Sequence, residues 1–412
     1  MRPTGFLYKC NDCGREYSTF GTLYLCPWCS PGNNNTAPPK GVLKILYDYE
    51  HIRKSITDFT DLKDNGFISL LPIDSIKSLP PLRVGNTPLY PLTELDGSRL
   101  PFSLRIKDDS QNPTWSFKDR ASALVSAFAK EKKLGIIVAA STGNAGSSLA
   151  GICASQKQKA VIIVPEKAPL AKLTQIIMYG ATLIPVKGTY DEAFELSVKA
   201  TEEFGWYNRN TAFNPLTIEG KKTVSFELFD QMKKTVPDRI FVSAGDGVIV
   251  SGVYKGFEEL IGLNIIDRMP VIVVVQSEKS DNLVRNTGKK DFTVIPSTTV
   301  ADSISVDIPR NFYMAQDFIR KYNGETLTVS DDEILKASRN LSGNTGLFAE
   351  PAAATAFAGL LSYMKHGRIP SGSSNVVLLT GGGLKDLKTV GPMLNMPASI
   401  DPSIADLKKH LQ

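Results

Sequence analysis

Asn112-Pro113-Thr114-Trp115-Ser116-Phe117-Lys118-Asp119-Arg120 reads as a turn running into a helix, with one lysine at the helix start and an apolar segment, Ala121 to Ala129, behind it. Small polar residues before the lysine and an apolar face after it leave Lys118 positioned rather than free to wander. Immediately upstream, Leu104-Arg105-Ile106-Lys107 reads as a strand feeding this turn, and Val84-Gly85-Asn86-Thr87-Pro88-Leu89 as a turn before it. Downstream, strand and helix patterns alternate: Gly135 to Ala140, a helix through Ala154, Ala160 to Pro165, a helix over Leu170 to Tyr179, Ala181 to Val186, and a helix from Tyr190 to Phe204. The rhythm continues with Arg239 to Ser243, a helix to Ile261, Val271 to Gln276, helices at Asp331 to Ser342 and Pro351 to Lys365, and a last strand, Asn375 to Leu379. Such alternation predicts an α/β fold with parallel sheets and crossover helices.

In parallel sheets, ligands gather where strand ends meet helix N-termini, whose free N–H groups and dipole favour anions. Three turns have that form. Ser141-Thr142-Gly143-Asn144-Ala145-Gly146 offers hydroxyls, an amide and backbone donors suited to a carboxylate, and equally suits an ordinary Ser/Thr helix cap. Gly245-Asp246-Gly247-Val248-Ile249 lets backbone N–H groups approach a phosphate, or is a plain tight turn. It matches neither the Walker A spacing nor G-x-G-x-x-G, because Val250 stands at the third glycine position. Thr380-Gly381-Gly382-Gly383 closes the last strand, and three successive glycines are costly for a merely structural turn, which points to a ligand. A lysine served by such turns has what an aldehyde cofactor held as a Schiff base requires.

With 412 residues the chain suggests two or three units at roughly 100 to 200 residues each. The net charge of +5 is spread along the chain, so no nucleic-acid or membrane-surface role is expected, while a small anionic substrate is compatible. Neither a membrane span nor a signal peptide is apparent, Met1-Arg2-Pro3-Thr4-Gly5 lacking an apolar run, so a cytoplasmic protein is expected. Four of the five cysteines form Cys10-x2-Cys13 and Cys26-x2-Cys29, the spacing of two knuckles that assemble a closed, structural zinc site, with a redox or disulfide pair as the alternative. Cys153 reads as buried packing. A linker, Ser30 to Pro39, follows the knuckles, Val42 to Tyr47 is a strand candidate, and 48–83 is left without assignment. His51, His366 and His410 lie away from every motif and read as surface residues.

Together the Ser-Phe-Lys-Asp-Arg segment, the Ser-Thr-Gly-Asn-Ala-Gly turn, the second glycine turn and the closing Thr-Gly-Gly-Gly resemble the fold type II pyridoxal-phosphate enzymes, the tryptophan synthase beta-like family. Within it the chain resembles the threonine synthases, with further matches at Gly85-Asn86-Thr87-Pro88-Leu89, Asn112-Pro113-Thr114, Glu219-Gly220-Lys221-Lys222-Thr223 and Glu350-Pro351-Ala352. The resemblance spans about residues 80 to 390. It implies two parallel-type α/β subdomains, the smaller at roughly 125–225 inserted in a catalytic part, 37–412, behind a zinc-ribbon-like knuckle and linker at 1–36.

By position it implies that Lys118 is the Schiff-base and proton-transfer lysine, Asn144 bonds the ring oxygen, and Thr380 faces the pyridine nitrogen. Gly245, Asp246, Gly247, Val248 and Ile249 would hold the cofactor phosphate, and Ser141, Thr142, Asn144 and Ala145 would line the substrate site. The implied activity is a carbon–oxygen lyase converting O-phospho-L-homoserine and water to L-threonine and phosphate, with pyridoxal 5'-phosphate and structural Zn2+ as cofactors, in a homodimer. Alternatives on the same scaffold are a serine/threonine dehydratase, a diaminopropionate ammonia-lyase or a β-replacement synthase. A catalytically silent zinc-knuckle interaction protein is a further one. Two positions depart from the family pattern. Asp246 stands where Asn is usual, and Thr217 stands where many members carry an Arg that recognises the substrate phosphate. Arg209, Lys221 and Lys222 are the candidates to replace it, against the ordinary fate of a solvated surface.

Overall fold

The computed structural model describes residues 5–18, 21–34, 36–168, 170–394 and 397–411. Met1 to Thr4, on which the reading of the N-terminus rests, and Asn35 of the linker lie outside them. The chain opens with a three-stranded antiparallel sheet in which β1 (Phe6–Cys10) lies between β2 (Glu16–Ser18) and β3 (Leu43–Tyr47). This sheet runs past the 36/37 boundary, because pairing with β1 is what satisfies the Leu43–Tyr47 backbone.

β4 (Leu89–Leu95) and β5 (Ser98–Asp108) form an antiparallel pair that begins the large sheet. The chain then leaves it to build a four-stranded parallel sheet from β6 (Ile136–Ala140), β7 (Lys159–Pro165), β8 (Thr182–Val186) and β9 (Tyr207–Asn208), in the order β8-β7-β6-β9. It returns with β10 (Arg239–Ser243), β11 (Val271–Ser277), β12 (Glu325–Val329) and β13 (Ser374–Leu379), giving the order β12-β11-β10-β13-β5-β4, parallel except for the β4 edge. The fold is thus α/β with two parallel sheets. The inner strands β10 and β11 are continuous apolar runs with Ile240, Phe241, Val242 and Ile272 to Val275 fully buried, as strands covered on both faces require. No helix among the described residues is long and apolar enough to cross a membrane.

Besides β1 and β2 in the cysteine segment, three strands of the two larger sheets escape a reading of the sequence. β12 is a half-buried Glu-Thr-Leu-Thr-Val edge, β9 has two residues, and β4 alternates with prolines and charges. Each is an edge or nearly so, where hydrophobic periodicity is weakest. Residues 48–83 hold two short helices, Tyr49–Ser55 and Phe59–Asp64, each started by an aspartate accepting a backbone N–H.

Candidate functional site

β5, β6, β10 and β13 each end in one of the motif segments. Leu379 of β13 is registered against Asp108 of β5, so the Thr380 turn and the loop leading to Lys118 emerge side by side. They are then tied together: Phe117 N–H donates to Thr380 O at 2.9 Å and Gly382 N–H to Trp115 O at 3.1 Å. The loop is held from behind as well. Arg120, buried near the start of the helix Lys118–Glu131, pairs with Asp109 (Nε to Oδ2, 2.5 Å) and Glu227 (Nη1 to Oε1, 2.7 Å). Asp119 accepts the Thr114 N–H at 2.7 Å, and Thr87 Oγ1 donates to Asp109 at 2.6 Å. These contacts explain why the Gly85 to Leu89 and Asn112 to Thr114 motifs accompany the lysine: they fix its loop.

Lys118 Nζ has no hydrogen-bond partner among the described residues. Burial lowers its pKa below the ordinary lysine value; Glu350 opposes the shift, Arg209 adds to it, and Asp246 opposes it. A desolvated amine lying between a carboxylate and other charges is one whose proton is easily lost.

The helices that start at the first and second glycine turns, Asn144–Ser155 and Val248–Gly262, follow Gly143 and Gly247 and carry no side-chain cap. A plain Ser/Thr helix cap is therefore ruled out at 141–142; Ser141 Oγ instead accepts the Gly143 N–H at 3.2 Å. Gly247 is left-handed (φ 82°), and a Cβ there would meet Leu283 and Ala315 at 2.9 Å, so only glycine fits the turn. Asp246 does not aim its carboxylate freely at this turn, since Oδ1 accepts the Arg310 N–H at 3.2 Å. The triple glycine has a packing reason that the sequence does not reveal. A Cβ on Gly381 would meet Glu350 at 2.4 Å and one on Gly383 would meet the Phe348 ring at 2.5 Å.

A cavity of about 780 Å³ opens between the two sheets, lined by Thr142, Gly143, Asn144, Glu350, Gly382 and Lys385 among others. Ser141, Ala145, Lys118, Thr380 and residues 245–249 are not on its wall. Lys118 is set back from it, close enough to Glu350, Arg209 and Asp246 for each to shift its proton affinity. Asn144 Nδ2 donates to both Glu350 oxygens at 2.9 and 3.1 Å.

Glu350 is the central residue that sequence reasoning missed. The chain shows it only as part of Glu-Pro-Ala, although a carboxylate before a proline-initiated, alanine-rich helix with no basic neighbour is itself a signal. Burial raises its pKa, offset by Asn144 and then by Lys385 and Lys118. Lys385 was also missed; its Nζ donates to Thr114 O, Ser147 Oγ and Gln175 Oε1 at 3.0, 3.1 and 2.8 Å.

The three candidate cations at the second departure are all fully buried, not solvated. Thr217 spends its hydroxyl on Asn214 O at 2.8 Å. Lys222 is committed to Glu219 and Glu259, at 2.5 and 2.8 Å. Arg209 and Lys221 are different. Arg209 donates to Ser122 and Thr211, but its Nη2 is buried without a partner, and Lys221 Nζ has none at all among the described residues. Lys221 has its pKa held well below the ordinary value by burial, then by Arg209 and Lys118, with Asp246 the one opposing charge. Buried basic groups with unsatisfied donors are costly, and an anion bound beside them would satisfy them.

The four thiols of Cys10, Cys13, Cys26 and Cys29 lie within 4.8 Å of one another, with Cys13 Sγ and Cys26 Sγ 3.8 Å apart. Zinc–sulfur bonds of about 2.3 Å give a tetrahedron with edges of about 3.8 Å, whereas a disulfide would bring sulfurs to about 2.05 Å. The donor set fits zinc. Cys153 is buried, and His51, His366 and His410 are exposed.

Residues 81–381 match the family of pyridoxal-phosphate dependent enzymes. The threonine synthase of Methanocaldococcus jannaschii is 33% identical over 414 residues, covering 98% of this chain and 99% of that one. That of Methanosarcina acetivorans is 32% identical over 412 residues, covering 98% of each. Among solved structures, a T.th. threonine deaminase superposes with a TM-score of 0.62 at 26% identity, covering 77% of this chain and 94% of its own. The diaminopropionate ammonia lyase of Escherichia coli, at 18% identity and TM-score 0.63 over 77% and 90%, shares the fold.

Proposed function

Because the chain belongs to the pyridoxal-phosphate dependent enzymes and, within them, to the threonine synthases, we propose that it converts O-phospho-L-homoserine and water to L-threonine and phosphate, with Lys118 holding the cofactor. It is a lyase, and its cofactor is pyridoxal phosphate. When bound, that group withdraws electrons from the substrate's Cα and Cβ.

The protein's part is to hold and to move protons. Lys118, desolvated and therefore readily neutral, takes the Cα proton and returns protons along the chain of the substrate. The N-termini at Asn144 and Val248, left without side-chain caps, would hold the substrate carboxylate and the cofactor phosphate, with Ser141, Thr142 and Ala145 at the first and residues 245–249 at the second. Open space beside Gly143, where a Cβ would meet nothing within 4 Å, leaves room for a ligand against that backbone. Asn144 and Thr380 are the residues that would hold the ring. Glu350, its carboxyl held toward the neutral form by burial and met by the Asn144 amide, stands where a proton must be stored near Lys118.

The observation that carries the phosphorylated substrate is the buried pair Arg209 and Lys221, cations with unsatisfied donors near Lys118. They supply the positive charge that Thr217 does not. Structural zinc on Cys10, Cys13, Cys26 and Cys29, a homodimer and a cytoplasmic location belong to the same reading, the first supported by the 3.8 Å sulfur spacing.

The test is a substrate panel: phosphate release from O-phosphohomoserine is expected, and ammonia release from threonine or serine without it would replace this reading by a dehydratase. Lys118→Ala should lose the visible absorbance of the lysine-held cofactor; an unchanged spectrum would refute the assignment.

A further inference from the structure

Strand β9 pairs with β6 on one side only, Tyr207 opposite Ile137 and Asn208 opposite Val138. Arg209 N–H donates inward to Val138 O at 2.8 Å, so the N–H of Asn208 points outward, as at any sheet edge. It does not reach solvent. Tyr24, two residues before Cys26 in the N-terminal knuckle, accepts it on its hydroxyl at 2.9 Å. The Tyr24 ring also stacks on Phe213, with centroids 4.6 Å apart and planes 13° apart, and lies 6.1 Å from the Tyr207 ring. One knuckle residue thus grips both ends of the 208–213 segment, and that segment carries Arg209.

From the inside the same segment is pinned by asparagines. Asn210 Oδ1 accepts the Ala140 N–H at 2.8 Å, its Nδ2 donates to Ser197 Oγ at 2.6 Å, and Asn214 Nδ2 donates to Asn208 O at 2.7 Å. Ala212, buried, adopts φ 63°, a left-handed conformation that a residue with a side chain keeps only where its surroundings enforce it. The segment is therefore sprung, and Tyr24 is its outer clamp.

We propose that Tyr24 is a positioning residue for the anion site: through its hydroxyl and its ring, the knuckle holds the 208–213 segment so that the Arg209 guanidinium faces the phosphate of the substrate. This rests on the reading of Arg209 and Lys221 as that phosphate's site. Tyr24 touches neither substrate nor cofactor, so its effect is on affinity for the anion, not on cofactor retention or turnover at saturation. It also gives the cysteine knuckle a role in substrate recognition, since the position of Tyr24 depends on the fold around Cys26.

The experiment uses the full-length holoenzyme and inorganic phosphate as the probe, with affinity read from perturbation of the cofactor absorbance and from thermal shift. Tyr24→Phe deletes one hydrogen bond and keeps the ring, so phosphate affinity should fall and the KM for O-phosphohomoserine rise by roughly two- to tenfold, the worth of one such bond. Saturated kcat and cofactor affinity should stay within about twofold of the parent on the same reasoning. In an Arg209→Gln background, Tyr24→Phe should add nothing, because its effect runs through Arg209.

Phe213→Leu keeps the hydroxyl and removes the stack, giving a second route to the same shift if Tyr24→Phe folds poorly by circular dichroism. Unchanged phosphate affinity in a folded Tyr24→Phe, or a full effect persisting without Arg209, overturns the proposal. Arg209-dependent phosphate binding without turnover of O-phosphohomoserine would fault the substrate assignment and leave the clamp standing. Equal phosphate affinity in the parent and Arg209→Gln would remove the anion site and the clamp with it.

Discussion

Replacing Lys221 by methionine should make the enzyme more stable and worse at its task. Lys221 is fully buried, its Nζ has no hydrogen-bond partner among the described residues, and the positive groups near it, Arg209 and Lys118, outnumber the single carboxylate, Asp246. Burial first, then those cations, hold its pKa well below that of a free lysine. Between the folded value and the ordinary one of ~10.4, the unfolded chain binds a proton that the native protein does not, so unfolding free energy rises with pH by about 1.4 kcal/mol per unit. The cost of burying the lysine is fully present below that window and fades toward its top. Methionine has a similar shape without the ionisable amine, and removing a lysine that can stay buried only unpaired or by giving up its proton should recover about 3 kcal/mol at pH 7. The assay is urea unfolding of the holoenzyme from pH 7 to 9, with and without inorganic phosphate. The variant should gain stability at pH 7, lose part of the parent's upward slope, and fail to be stabilised by phosphate as the parent is. A variant less stable than the parent at pH 7, or one that phosphate stabilises equally, would refute the reasoning.

Other outcomes follow from the same geometry. Glu350→Gln retains an oxygen for Asn144 but cannot change protonation, so cofactor content should be normal while kcat drops by about 100-fold and the pH limb set by the raised Glu350 carboxyl disappears; stopped-flow and pH–rate measurements check both. Asp246→Asn keeps the acceptor for the Arg310 N–H and removes a negative charge from the turn proposed to hold the cofactor phosphate, so cofactor dissociation should slow by about threefold, which dialysis against cofactor-free buffer would reveal. Cys26→Ser should lower zinc from about one equivalent per chain, measured by mass spectrometry, with a lower apparent Tm.

The sequence announces the parts of the site that are local. An apolar strand followed by a glycine turn and a helix is readable at 136–155 and again at 239–262, because the strand, the turn and the helix start are contiguous. What it conceals is mutual position. Arg209, Lys221 and Lys222 look alike in the chain, yet Lys222 folds onto Glu219 and Glu259 while Arg209 and Lys221 are left with empty donors, a difference set by the packing of the helices Leu216–Gln231 and Val248–Gly262. Glu350 reaches Asn144 across 206 residues of sequence, and Tyr24 reaches Asn208 across 184. The triple glycine is legible as unusual but not for its cause, since Glu350 and Phe348 press on it from a segment remote in sequence.

Among the described residues β5 finds its parallel partner in β13 alone, where Ser103 meets Ser374 and Asp108 meets Leu379. On a ribosome adding ~5–20 residues per second, roughly 270 residues separate the two, so β5 waits about 15 to 50 s for its neighbour to be made. The small sheet, whose strands lie wholly between Ile136 and Asn208, is synthesised and free to form during that interval. The lysine loop, strapped at its far side to Thr380, is therefore among the last features of the nascent chain to take shape, and a stalled or truncated product would carry the Ser141 to Gly146 turn without the assembled lysine loop.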